Sequence, residues 1–319
     1  MRTALPQALS VLRSGGLIAL PTETVYGLGA DASNELAVRR IFAVKGRPST
    51  HPLIVHVADV TSARQWASSF PRAAELLATA FWPGPLTLIV PRSARASDAV
   101  TGGQDTVGLR VPDHALTHEL LTLFGGGIAA PSANRFGHVS PTTAAHVRDE
   151  FGAEVDFILD GGPATIGVES TIVDVSKGPP RLLRPGGISV EELERVLGEA
   201  VPHASEATDI RAPGMLASHY APRAGLWLVT TDQLAHEAEV RLAAGAKVAV
   251  FAPSALQLPP GVGRFAVPDD AKGYARLLYS LLREADDQGY DVILAAPPEA
   301  SGLGLAVRDR LNRAASPRR

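Results

Sequence analysis

Apolar residues recur along the chain in two rhythms, and the switching between them sets the first expectation of the fold. In Ala4–Ser14, Leu5, Ala8, Leu9 and Leu12 fall on one side of a helix, which Gly15–Gly16 stops. The run Leu17–Leu20 is short, continuous and closed by Pro21, the pattern of a buried strand. Helical spacing returns over Glu35–Val44, with Asn34 placed to cap it and Leu36, Ile41 and Phe42 available for burial. Further strands are predicted at Leu53–Val57, Leu86–Val90, Val107–Val111, Ile128–Ala130, Phe157–Asp160 and Thr171–Val175, and helices at Arg72–Ala80 and Val190–Leu197. Strands and helices mix here without one-to-one alternation, which predicts an α/β domain on a twisted mixed sheet.

From about Glu199 to Arg223 the composition turns to Ala, Pro, His and Ser, as in a linker. After it, strands at Leu226–Val229, Lys247–Phe251 and Asp291–Ala295 alternate with helices at Asp232–Ala244, Asp270–Ala285 and Leu305–Ala315. Leu277, Leu278, Leu281 and Leu282 mark the buried face of the middle helix, and a Pro/Gly loop spans Pro253–Gly263. The β–α–β–α–β–α order predicts a smaller parallel α/β domain. The expected division is a first domain over 1–198, a linker over 199–224 and a second domain over 225–319.

Composition narrows the chemistry. The 319 residues contain no cysteine, which excludes disulfides, cysteine nucleophiles, thiolate zinc sites and iron–sulfur clusters. A net charge of −3 excludes a basic coat for nucleic acid over the whole chain and leaves a local patch open. The apolar runs are strand-length, and Arg13 with Gly15–Gly16 interrupts any signal-peptide core, so a cytoplasmic protein with no membrane partner is expected. There is no GxxxxGK[ST] loop, kinase motif set, HExxH or GxSxG.

Five segments carry candidate chemistry, each with a plainer alternative. Pro21–Gly29 (PTETVYGLG) leaves a strand for a loop with two glycines, either a site rim or a turn whose Thr and Glu side chains satisfy local backbone. Lys45-Gly46-Arg47-Pro48 pairs a point charge with a planar fork, suited to polyphosphate or carboxylate, or else complements a helix dipole. His51 and His56 follow, and His56 within a strand is equally readable as a packed residue. Ala130-Pro131-Ser132-Ala133-Asn134 offers hydroxyl and amide groups to phosphate oxygens or to a metal bound to them. Ser140-Pro141-Thr142 reads as a helix N-cap with proline in the first turn, which is also an anion site. Gly161–Asp174 delivers Ser170 and Thr171 at a strand start, with Glu169 as a site carboxylate or a loop residue. Arg184 ends the run Leu182-Leu183 as a phosphate contact or a surface arginine.

In order along the chain, PTETVYGLG, KGRP with PLIVHV, WPGPLT, VGLRVP, APSAN, GVESTIVD and LRPG closely resemble the threonylcarbamoyl-AMP synthase family, whose catalytic unit is the YrdC-like domain. The resemblance runs from about Leu5 to Leu197; APGMLASHYAPRA and GLGLAVRDRLNRAAS resemble the linker and ending of the long, two-domain members. It implies a YrdC-like twisted mixed-sheet domain, a linker and a smaller parallel α/β domain. It also implies the conversion of L-threonine, bicarbonate and ATP into L-threonylcarbamoyladenylate and pyrophosphate, for N6-threonylcarbamoyladenosine in tRNA. Lys45, Arg47, Ser132 and Asn134 then match the residues that hold the ATP phosphates with Mg²⁺, the metal being carried by the phosphates. Thr24, His56, Arg110 and Ser170 would line the threonine pocket, Arg110 pairing with the carboxylate. Thr106, Ala130, Ser140 and Arg184 would contact the nucleotide, and Tyr220 would close over it. The family often has asparagine where this chain has His51, which retains hydrogen-bonding capacity for ATP.

The resemblance further implies downstream tRNA threonylcarbamoyl transferase machinery as partner, with a tRNA contact open. Three other readings remain at this level. Carbamoyl transfer in hydrogenase maturation uses a related domain, in larger chains with cysteine-based zinc fingers. An RNA-binding module without turnover would use Lys45 and Arg47 on RNA, though aromatics make up only 5% of the chain. A ligand-sensing regulator would bind nucleotide without turning it over.

Overall fold

The computed structural model describes residues 4–204, 210–214 and 220–316. The chain divides into two compact units. One holds Met1–Phe136, Ser140–Thr165 and Glu169–Met215; the other holds Gly137–Val139, Ile166–Val168 and Leu216–Arg319.

The first unit is built on nine strands: β1 (Ile18–Leu20), β2 (Gly27–Asp31), β3 (Ile54–His56), β4 (Leu86–Pro91), β5 (Thr106–Arg110), β6 (Ile128–Ala129), β7 (Phe157–Ile158), β8 (Thr171–Asp174) and β9 (Arg181–Arg184). Their order is β7-β1-β2-β6-β3-β5-β4-β8-β9. The pairs β1–β7, β3–β5 and β4–β8 are parallel, and the other neighbours are antiparallel, the mixed sheet expected.

Strand alternation divides the apolar residues between the two faces. Leu17, Ala19, Leu28, Val55, Leu88, Leu109 and Val173 form one core with Val38 and Ile41 of the helix Glu35–Lys45 and Leu77 of the helix Arg72–Phe81. Their neighbours in sequence point the other way. Ile18, Leu20 and Ile128 pack under the helices Ala4–Arg13 and Ala115–Phe124. Ile54, Ile89, Ile172 and Leu183 form a separate patch on that same face, joined by Ala212. The polar residues of the site lie on this second face.

Three local expectations need correction. Gly27–Asp31 is a strand, not a loop: a Cβ on Gly29 would stand 2.5 Å from Leu20 Cδ2 and 2.8 Å from Ile128 Cγ2, so the glycine admits its neighbours' side chains. Leu36 is 78% exposed because Val38, Ile41 and Phe42 occupy the inner face of its helix. Pro141 is not in a first helical turn; the helix is Ala144–Phe151, capped by Thr143, whose side chain accepts from His146 N. The helix Ala115–Phe124 and the strand β9 also emerge in stretches to which the sequence reading assigned no element.

The Ala/Pro-rich stretch begins as a strap along the edge strand β9. Leu182 N donates to Pro202 O and Leu182 O accepts from Ala204 N, both at 2.9 Å. Farther on, Arg211 N donates to Gln104 Oε1 at 2.7 Å.

The second unit carries β10 (Gly225–Leu228), β11 (Val248–Ala252), β12 (Gly263–Ala266) and β13 (Val292–Ala295) in the order β10-β13-β11-β12, with all pairs parallel. Leu234, Ala238, Val248, Val250 and Leu294 form its apolar core on one side. On the helix Ala271–Asp287, Leu278, Leu281 and Leu282 are buried and Leu277 is half-buried. Tyr220 belongs to this unit. Its ring is buried, stacks on Tyr279 with centroids 5.7 Å apart, and lies under the Arg310 guanidinium. No helix among the described residues is long and apolar enough to cross a membrane.

Candidate active site

The site begins as a row of side chains dictated by register. His56 stands opposite Ile128 on β6 and Arg110 on β5. Leu88 pairs with Leu109 in the antiparallel ladder, which brings Thr87 opposite Arg110. Beyond it lies Ser170, at the mouth of β8, with its hydroxyl 2.8 Å from that of Thr87. A histidine, an arginine and two hydroxyls thus cross one face of the sheet between its two apolar patches, all buried.

Arg110 organises this row. Its Nη2 donates to Thr24 Oγ1 at 2.9 Å and its Nε to Gly84 O at 3.3 Å. Thr24 is held in turn by Thr22, the two hydroxyls being 2.8 Å apart, and Thr22 donates to Val25 O at 2.6 Å. The Glu23 carboxylate reaches Arg110 Nη2 at 2.7 Å, with side chains 6% and 5% exposed respectively. The approach lies off the N–H directions, so neither Glu23 oxygen accepts a hydrogen bond. Burial, and next the Arg110 charge, push the His56 imidazole down to about 3, so it is neutral at ordinary pH. Among the described residues its Nδ1 has no hydrogen-bond partner.

The second cluster is the loop after β6. The loop is fixed by main-chain bonds to the segment before β2: Leu28 N to Pro131 O and Ala133 N to Tyr26 O, both 2.8 Å. Lys45, the last residue of its helix, reaches beneath this loop and donates Nζ to Ser132 O at 2.6 Å and to Asn134 O. Burial is the main cause that lowers its pKa well below the usual lysine range; Arg47 adds to it and Glu150 opposes it. Gly46 takes a left-handed conformation (φ 63°) that ends the helix and separates the two cations. Arg47 is buried, donates to Pro52 O at 3.2 Å and lies over the Phe136 ring at 5.9 Å. His51 meets the same ring edge-on at 5.6 Å, and its pKa is lowered by burial and then by Arg47 and Arg211.

A third group flanks the row. Arg184 donates Nε and Nη2 to Ser170 O at 3.1 and 2.8 Å, Nη2 also to Ser170 Oγ at 3.1 Å, and Nη1 to Pro213 O at 2.9 Å. Ser140 donates to Glu169 Oε1 at 2.6 Å, a buried pair. Ala130 is buried, its N–H donating to Ile54 O at 3.0 Å, and Thr106 is buried at the head of β5.

The sequence-derived candidates therefore fall into contacting sets: Thr24 with Arg110, Ser170 with Arg184, and Lys45 with the backbone of Ser132 and Asn134. Arg47 and His51 share the Phe136 ring. Tyr220 lies in the other unit, against Tyr279. Thr87 was not singled out in the sequence, although a lone threonine on the inward side of the apolar run LTLIV is a readable signal. Glu23 stood inside the first segment only as a side chain able to satisfy local backbone, and its oxygens make no such bond. Buried guanidinium, ammonium and hydroxyl donors of this kind suit a carboxylate and a polyphosphate. Among the described residues no group of three or more His, Asp or Glu could cage a metal. The hydroxyl and amide of Ser132 and Asn134 suit a cation already largely neutralised by phosphate.

Comparison with known proteins finds matches for both parts of the chain. Residues 10–186 match a family described as "Telomere recombination", and residues 188–316 match one described as "Threonylcarbamoyl-AMP synthase, C-terminal domain". The chain is 44% identical over 317 residues to the threonylcarbamoyl-AMP synthase of Pyrococcus abyssi, covering 96% of this chain and 92% of that protein. It is 40% identical to the Bacillus subtilis protein of the same name, covering 98% and 93%. The crystal structure of P. abyssi Sua5 complexed with L-threonine superposes with a TM-score of 0.93 at 43% identity, covering 98% of this chain and 94% of that one.

Proposed function

The chain belongs to the threonylcarbamoyl-AMP synthase family, and from that premise we propose that it converts L-threonine, bicarbonate and ATP into L-threonylcarbamoyladenylate and pyrophosphate. The product would serve N6-threonylcarbamoyladenosine formation in tRNA, through a downstream transferase in the cytoplasm. The observation that carries this reading is the buried Arg110 with Thr24 and Glu23 in the polar row, together with the Lys45–Ser132–Asn134 loop. The Arg110 cluster is chemically suited to an amino acid and the Lys45 loop to phosphates. A relative of the same fold was crystallised with L-threonine, which supports threonine as the amino acid.

In this reading Arg110 takes the threonine carboxylate, with Thr24, Ser170 and neutral His56 shaping the pocket. The threonine nitrogen adds to bicarbonate-derived carbon, giving a carbamate that attacks the α-phosphorus of ATP as pyrophosphate leaves. Mg²⁺, arriving on the ATP phosphates, supplies charge neutralisation there. The chain's own part is electrostatic. Arg47 and Arg184 are pre-placed guanidinium groups, and Lys45 keeps its third N–H for a phosphate oxygen while two hold the loop. Ser132 and Asn134 would meet phosphate oxygens. His51, Thr106, Ala130 and Ser140 would meet the rest of the nucleotide. Positioning and charge, with no covalent enzyme intermediate, then account for the rate.

The test is pyrophosphate release by the purified protein with ATP, Mg²⁺ and bicarbonate, with and without L-threonine. Threonine-dependent release, with the threonylcarbamoyl adenylate seen by mass spectrometry, is expected. Release that ignores threonine, or none from a folded protein, refutes the proposal.

A further inference from the structure

Glu23 is the most anomalous side chain in the site. Its carboxylate is buried, 5% exposed, yet neither oxygen accepts a hydrogen bond. A buried carboxylate left in this state carries the desolvation cost of the ion without the bonds that normally offset it. Its one charged contact among the described residues is Arg110 Nη2 at 2.7 Å, off the N–H directions. Arg110 also leaves its Nη1 without a hydrogen-bond partner among the described residues, since its donated bonds run from Nε and Nη2. The two groups are therefore complementary halves with spare capacity: a carboxylate lacking hydrogen-bond donors and a guanidinium with one nitrogen still open, side by side. The chemistry that fills both at once is a zwitterion with its ammonium and carboxylate on the same carbon, an α-amino acid.

We infer that Glu23 is the receptor for the substrate's α-amino group and the base that takes its proton. The inference deepens the proposed function and rests on it. Carbamate formation needs the free amine. The ammonium, R–NH₃⁺, passes one proton to the Glu23 carboxylate and becomes R–NH₂. The nitrogen lone pair then forms the N–C bond to bicarbonate, R–NH₂ + HCO₃⁻ giving R–NH–COO⁻ + H₂O, and the proton on Glu23 returns to solvent when the product leaves. Neighbouring groups fit this role. His56, on the adjacent position of the row, is neutral and does not compete as a cation for Glu23. The Thr22–Thr24 hydroxyl pair brackets Glu23 in sequence and fixes the turn that carries it.

The competing idea is that Glu23 only holds Arg110 in place. The two are separated with a ligand that has no amine. Binding of L-threonine and of its 2-hydroxy analogue, (2S,3R)-2,3-dihydroxybutanoate, is measured by calorimetry in the full chain and in Glu23→Gln, with ATP binding as the control for folding. In the unsubstituted protein L-threonine should bind on the order of 10²-fold tighter than the hydroxy acid, and in Glu23→Gln that preference should fall to a few-fold at most. A merely structural Glu23 would weaken both ligands alike, and that result overturns the inference. The base role has its own readout: the turnover of Glu23→Gln should climb about tenfold per pH unit as the free amine of threonine becomes available, more steeply than that of the unsubstituted enzyme. Parallel profiles would overturn that part. Should the unsubstituted protein bind no threonine, the proposed function itself fails; should it bind threonine and Glu23→Gln keep the full preference, only the Glu23 inference fails.

Discussion

His56 gives the sharpest prediction because its environment sets both the sign and the size of the effect. The ring is 4% exposed, flanked on the sheet by Arg110 and Ile128. Burial and the arginine lower its pKa from 6.5 to about 3. Between those two values the unfolded chain binds a proton that the folded chain refuses, so stability falls as the pH falls through this window. Each pH unit is worth about 1.4 kcal/mol. Going from pH 7.5 to pH 5 should therefore cost about 2 kcal/mol from this residue alone, most of it below pH 6.5. Other groups titrate over the same range, so the measurement is a difference: urea unfolding of the protein and of His56→Gln at both pH values. The variant is expected to be less stable at pH 7.5, from lost packing, and to close about 2 kcal/mol of that gap at pH 5. A gap that stays constant between the two pH values would show that His56 titrates alike in both states, and the reasoning about its pocket would be wrong.

Three further outcomes follow from the same geometry. Lys45→Met keeps the aliphatic stem and removes the ammonium that binds the carbonyls of Ser132 and Asn134; it should cost about 1–3 kcal/mol by urea unfolding, the lost charged bonds being partly offset by relief of a buried amine. Its threonine-dependent pyrophosphate release should fall by on the order of 10²-fold or more, and near-normal release would remove Lys45 from the phosphate site. Arg110→Lys replaces a planar fork by a point charge and should weaken threonine binding on the order of 10²-fold while ATP binding is unchanged; equal threonine affinity by calorimetry would remove the carboxylate contact. Gly29→Ala places a methyl 2.5 Å from Leu20 Cδ2 and should destabilise the protein by about 1–3 kcal/mol, whereas a neutral change would show that Leu20 can move aside.

The regular elements were legible wherever apolar spacing was strong. The helix Val190–Leu197 is predicted to the residue and Asn34 caps its helix as expected. The failures have identifiable causes. Gly27 and Gly29 suggested a turn because the space they leave is filled by Leu20, Ala130 and Ile128, residues distant in sequence or folded back on them. The helix Ala115–Phe124 carries no start signal, since His114 makes no capping bond, although Leu116, Leu120 and Leu121 and the terminal Gly125 follow helical spacing. The motif resemblance located the site segments, and no local pattern could show which side chains meet. That Thr24 hydrogen-bonds Arg110 over 86 residues follows from strand order, not from either segment. That Lys45 spends two of its donors on loop carbonyls is likewise invisible until the helix and the loop are folded together.

The strap along β9 has a practical consequence for anyone dividing this chain. Leu182 donates its N–H to Pro202 O and accepts from Ala204 N, and Ala212 covers Ile54, Ile89, Ile172 and Leu183. A fragment ending at the helix Val190–Leu197 would present an unpaired strand edge beside an uncovered apolar patch, the combination that recruits other chains into β-pairing. It would also lose Pro213 O, one of the anchors of Arg184. Fragments that end near residue 214 should therefore stay dispersed in solution, and those that end near residue 198 should self-associate as their concentration rises.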